Sequence, residues 1–161
     1  MGCPRSRRTS RCSRAPRTRS WAGATRSAAT CRRNRFFLNS SFSQSALLRK
    51  RQAGPVVFIH PDDAAARTVG PGDLVAVWND RGRALFTAVL TDDTPPGQVV
   101  VEGIWWHKLM PGGRGVNVLT SDKVADMGGG PAFHSTQVEL ERTEASALDA
   151  WQHLAPARTS S

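Results

Sequence analysis

Few side chains in this sequence can do covalent or redox chemistry. Its three cysteines, Cys3, Cys12 and Cys31, all stand within the first 35 residues. Eight residues separate the first two and eighteen the second two, and neither spacing matches a zinc or iron–sulfur ligand set. His60 invites a reading as a base, but it directly precedes Pro61-Asp62-Asp63. That context makes it a helix-entry residue. What remains is hydrogen-bonding chemistry. Asn117 and Thr120 offer an uncharged amide and hydroxyl. Pro111-Gly112-Gly113, Gly115 and Gly128-Gly129-Gly130 supply backbone that a ligand can approach closely, because no Cβ stands in the way. Lys108, just after Trp105-Trp106, adds a cation within reach of a phosphate.

These residues must be positioned by a modest domain. The chain has 161 residues, enough for one domain with a tail. Its charge is divided sharply. Residues 1–35 contain eleven Arg and no Asp, Glu or Lys, whereas residues 36–161 carry a net charge of −2. The overall +9 therefore belongs to the leader, and the remainder is an ordinary, slightly acidic sequence. The leader is Ser-, Thr- and Arg-rich with no apolar periodicity, so it is read as disordered. It has no apolar stretch of the kind an export signal needs, which favours the cytoplasm. No apolar run reaches the length of a spanning helix.

The expected organisation is a leader over 1–35, a globular domain over 36–142 and a polar tail over 143–161. Phe36 to Leu38 reads as a first buried strand. Ser43 to Arg51 reads as a short helix with cations at its C-terminal end. Val56 to Ile59, Leu74 to Trp78, Arg83 to Thr91, Val99 to Val101 and Gln137 to Glu141 read as strands. Pro61 opens a second helix, Asn79-Asp80-Arg81-Gly82 is a hairpin turn, and Ser121 to Ala125 is a helical turn. Ala145 to Leu154 is a weak helix. About six short strands, two short helices and Gly-rich loops suit a compact mixed barrel better than a doubly wound sheet.

Six phrases, in order, resemble the C-terminal domain of molybdopterin oxidoreductases of the dimethyl-sulfoxide-reductase-like family. They are Phe37-Leu38-Asn39-Ser40-Ser41-Phe42, the run Ile59-His60-Pro61-Asp62-Asp63-Ala64-Ala65-Ala66-Arg67, Gly72-Asp73-Leu74-Val75, Asn79-Asp80-Arg81-Gly82, Asn117-Val118-Leu119-Thr120 and Gly128-Gly129-Gly130. The resemblance implies a mainly β fold with short helices, a double-psi-type β-barrel of the aspartate-decarboxylase-like kind. It implies binding of molybdenum bis(molybdopterin guanine dinucleotide) through the dinucleotide only. It places Asn39, Ser40 and Ser41 in the first cofactor-facing loop and Asn117 and Thr120 in a second. Asp126 would accept paired N–H donors of a guanine or pterin edge, His134 would reach the pterin, and Lys108 a phosphate. The molybdenum ligand and any iron–sulfur cluster would belong to other domains, so the chain resembles a terminal fragment whose partners are the remaining domains of such an enzyme. No catalytic or metal-ligating residue is expected here.

Two other function classes are weighed. Self-processing decarboxylases on a related barrel need a Gly-Ser bond, and the sequence contains none. A non-catalytic protein binding nucleic acid through the Arg-rich leader is the alternative, but the globular part lacks interleaved aromatic and basic residues.

Overall fold

The computed structural model describes residues 25–37, 41–42, 45–52, 54–103, 105–124, 126, 128–130 and 136–144. Six strands form a closed barrel: β1 (Ser27–Arg32), β2 (Val56–Ile59), β3 (Leu74–Trp78), β4 (Arg83–Leu90), β5 (Gln98–Glu102) and β6 (Gln137–Arg142). The order around the ring is β1-β5-β2-β4-β3-β6. β1 with β5 and β2 with β4 are parallel, and the other pairs are antiparallel. Alternate residues point inward. Val57, Ile59, Val75, Val77, Ala84, Phe86, Ala88, Val99, Val101, Val138 and Leu140 fill the core, each at most 1% exposed. The expected β-barrel of about six strands is the fold observed.

The first strand is not where the sequence placed it. Phe36 to Leu38 does not form a strand among its described residues. Asn34 Oδ1 instead accepts the amides of Phe36 and Phe37 at 2.8 and 3.1 Å, turning the chain. Phe37 then enters the core edge-on to Trp105, with ring centroids 5.1 Å apart. The true β1, Ser27–Arg32, lies inside the segment assigned to the leader. Its pairing with β5 over five residues and with β6 closes the ring. Residues 1–24 of the leader and the weak helix 145–154 lie outside the described residues. The expected helical turn at Ser121 to Ala125 is absent over Ser121–Val124, and the turns form earlier, as 3-10 helices at Pro111–Gly113 and Val116–Leu119.

Two short α-helices form among the described residues. In α1 (Ala46–Arg51) no residue is buried, although Leu48 packs partly on the core. In α2 (Pro61–Ala65) Pro61 occupies the first turn, Ala64 is buried, and His60 caps the helix by accepting the Asp62 amide on Nδ1 at 3.2 Å. His60 is thus a capping residue, as its place before Pro61 predicts.

Just beyond α2, Arg67 reaches across to the ring. Its Nε donates to Glu139 Oε1 of β6 at 2.8 Å, and its second nitrogens reach Ser27 Oγ, the Thr25 carbonyl and the Asp63 carbonyl. The Arg67 and Glu139 side chains are only 7% and 2% exposed. Removing one partner leaves a buried charge uncompensated, which costs about 3–5 kcal/mol, whereas replacing both by apolar groups is often neutral. We therefore expect Arg67→Met to lower unfolding stability by about that amount and Arg67→Met/Glu139→Leu to recover most of it. Denaturant unfolding of both variants checks this; equal losses would show that the pair, not the orphaned charge, carries the stability.

Candidate functional site

The segment after β5 folds over one flank of the ring. Gly103 adopts a φ of +66°, and a Cβ there would stand 2.7 Å from Asn34 Cβ, so only glycine lets β5 pass the Asn34 turn so closely. The chain then runs through Trp105, which is buried, and the 3-10 turn His107–Leu109. Gly115 packs against the His107 ring, with a built Cβ 3.5 Å from it. The next 3-10 turn, Val116–Leu119, is closed by Val118 N–H to the Gly115 carbonyl at 3.3 Å, and Thr120 N–H to the Asn117 carbonyl at 3.2 Å continues it. Leu119 is buried in the core, and this drives Asn117 to the outside of the same turn, where it is exposed.

Asn117 and Thr120 come together at a cleft of about 100 Å³. Ala29, Thr30 and Cys31 of β1 form one wall, Val101 of β5 the floor, and Val116, Leu119 and Thr136 complete the lining. Thr136 is held there because its carbonyl accepts the Ala29 amide at 2.9 Å. Among the described residues no charged side chain lines the cleft. The polar side chains these residues bring are one amide, three hydroxyls and the Cys31 thiol, neutral groups suited to an uncharged, hydrogen-bonding heterocycle. Away from the cleft lining, Asn34 Nδ2 and Trp105 Nε1 are buried donors without a hydrogen-bond partner among the described residues.

Cys31 sits at the edge of this cleft. The residue is exposed as a whole, yet its Sγ turns toward the Gly103 carbonyl at 3.9 Å. Burial around the thiol pushes its pKa up, and the Gly103 bond opposes that only in part. The thiol therefore stays protonated at neutral pH and is a poor nucleophile. Among the described residues no group of three or more His, Cys, Asp or Glu is arranged to hold a metal ion, and no helix is long and apolar enough to cross a membrane.

The other residues singled out from the sequence are placed as follows. Lys108 is exposed, with Nζ 4.5 Å above the Trp106 ring and outside the cleft lining. Ser41 is exposed, in an isolated bridge, and Asp126 is exposed in a turn. Asn39, Ser40 and His134 lie outside the described residues. Thr30 and Thr136 were not anticipated. Thr30 belongs to a strand hidden in arginine-rich sequence, and Thr136 reaches the cleft only through the β1–β6 closure.

A family model described as Molydopterin dinucleotide binding domain matches residues 28–137. The probable oxidoreductase YoaE of Bacillus subtilis is 38% identical over 111 residues, covering 68% of this chain and 16% of that protein. Trimethylamine-N-oxide reductase 1 of Escherichia coli (strain K12) is 37% identical over 119 residues, 66% of this chain and 14% of the relative. Biotin sulfoxide reductase of Cereibacter sphaeroides is 33% identical over 114 residues, 67% and 15%. The chain thus spans about a seventh of the length of these relatives. Acetylene hydratase from Pelobacter acetylenicus shares the fold, with a TM-score of 0.65 at 17% identity over 73% of this chain and 18% of that one. The match from β1 to the start of β6, over a closed barrel with a neutral cleft, shows that this chain belongs to the molybdopterin dinucleotide-binding domain family found in molybdenum oxidoreductases.

Proposed function

We propose that this chain holds the guanine dinucleotide part of molybdenum bis(molybdopterin guanine dinucleotide) within an oxidoreductase whose remaining domains are its partners. The observation that carries the reading is the cleft that joins Asn117 and Thr120 to Thr30 and Thr136, with no charged side chain among its described lining residues. When bound, the cofactor supplies a metal centre for electron and oxygen-atom transfer. The chain's own residues bind and orient. The Asn117 amide can both donate to and accept from a heterocycle edge, and the threonine hydroxyls adapt by rotation. Asn39, Ser40 and Ser41 would add contacts of their own to the cofactor, as would Asp126 and His134. Lys108 would meet a phosphate, leaving the Trp106 ring to do so. In this reading the binding domain runs from β1 to β6, flanked by the arginine-rich leader and the polar tail. No residue of the chain is assigned a catalytic role.

GDP is a soluble probe of this site. We expect titration of the full chain to show saturable binding that Asn117→Ala weakens by roughly tenfold, one or two neutral hydrogen bonds at about 0.5–1.5 kcal/mol each. Unchanged affinity in that variant, or no binding by the unaltered protein, would remove the basis for the assignment.

Cys31 gives a second readout. Because its thiol pKa is raised, iodoacetamide should label it more slowly than an ordinary exposed cysteine at pH 8, with the rate still rising as pH climbs past the ordinary thiol range. Saturating GDP should slow labelling further, since Cys31 shares the cleft. Peptide mass spectrometry of the Cys31 fragment measures both effects.

A further inference from the structure

The hairpin turn between β3 and β4 does more than reverse the chain. Asn79 is buried, at 6% exposure. Its Oδ1 accepts the Arg81 and Gly82 amides at 2.9 and 3.1 Å, which shapes the turn. Its Nδ2 points the other way. It donates to the Leu119 carbonyl at 2.8 Å and, at 3.4 Å, to the Gln137 carbonyl. Leu119 lies between Asn117 and Thr120, and Gln137 follows Thr136, so one side-chain amide grips the backbone beneath two walls of the cleft. Gly82 supports the same segment. A Cβ at Gly82 would stand 2.8 Å from the Val118 carbonyl oxygen and 3.1 Å from the Val118 side chain. Its φ lies outside the left-handed region, so this close approach, not backbone conformation, is what requires a glycine.

We infer that Asn79 and Gly82 are positioning residues for cofactor binding: they set the height and orientation of the Val116–Leu119 turn that presents Asn117 and Thr120. The inference rests on the reading of that cleft as the dinucleotide site. Its physical basis is that a bond to a carbonyl within the presenting turn constrains that turn directly. A misplacement of about 1 Å is enough to lose a hydrogen bond to a ligand.

Asn79→Asp separates the two roles of this residue. It keeps the acceptor that shapes the hairpin and turns the donor facing Leu119 into a second acceptor. Gly82→Ala perturbs the Val118 contact while leaving the Asn79 amide in place. Asp80→Ala is the control, since Asp80 sits at the exposed tip and contacts Arg81. In the full chain, we expect Asn79→Asp and Gly82→Ala each to speed amide exchange at Val118 and Thr120 by tenfold or more. GDP binding should weaken by a similar factor. The β3 amides of Val75 and Val77 should exchange as in the unaltered protein, and Asp80→Ala should change neither quantity. In an Asn117→Ala background, Asn79→Asp should cost less affinity than it does in the unaltered protein, because part of its effect passes through Asn117.

Unchanged exchange at Val118 and Thr120 would overturn the inference. So would equal loosening of β3, or full additivity of the two substitutions. If the unaltered chain binds no GDP, the dinucleotide assignment fails, and the exchange measurement alone decides whether the hairpin positions this turn.

Discussion

A ring of strands has no open edge only if every strand finds two neighbours, and here β5 and β6 share β1 as their missing one. Everything on the cleft side follows from that closure. β1 lends Ala29, Thr30 and Cys31 to the wall. Its Ala29 amide holds the Thr136 carbonyl, and its Arg32 carbonyl accepts the Gly103 amide at the point where the chain leaves β5. The buried Arg67 guanidinium secures the same junction by reaching Thr25 just before β1, Ser27 at its start and Glu139 in β6. A charge so deep in a small domain is tolerable only with its hydrogen bonds met, and the partners it finds are the ends of the strands that must meet.

The same economy of charge explains the cleft. Glu102 is almost buried, but Arg32 and Gln52 occupy its carboxylate. Glu139 is committed to Arg67 and the Leu140 amide. Lys108 lies over an aromatic ring outside. Among the described residues the polar side chains left lining the cleft are neutral. A site lined by neutral donors and acceptors discriminates through the match of its hydrogen bonds more than through net attraction, because a ligand lacking the right partners leaves some of them unmade.

The strands from β2 to β6 and helix α2 were legible because each carries a local signal. Val56-Val57-Phe58-Ile59 is β-branched, Pro61 fixes a helix start, and Asn79 to Gly82 is a recognisable turn. β1 carried none. Ser-Ala-Ala-Thr-Cys-Arg has small or polar side chains, and only Ala29 enters the core. Its strand character comes from pairing on both sides, which is tertiary and invisible to periodicity. The apolar Phe36-Phe37-Leu38 misled for the opposite reason: Phe37 is buried as a plug after an Asn34 turn. At the site, Asn117 and Thr120 were found from a four-residue phrase. Thr30 and Thr136 become neighbours only when distant segments close the ring. The hairpin's grip on Leu119 was hidden because Asn79 already had a sufficient local explanation as a turn residue.

The register of β1 also dictates an order of events. Its parallel partner on β5 stands roughly 70 residues downstream and its antiparallel partner on β6 roughly 110, separations that make contact formation slow. A nascent chain emerging from its N-terminus can pair β3 with β4 at once, across a tight turn. β1, though made first, must wait with both edges bare until nearly the whole domain has been synthesised. The strand that completes the ring is therefore the first of the six to be translated and the last secured. Its few apolar side chains suit that interval, because a strand kept waiting with little hydrophobic surface offers other chains little to adhere to.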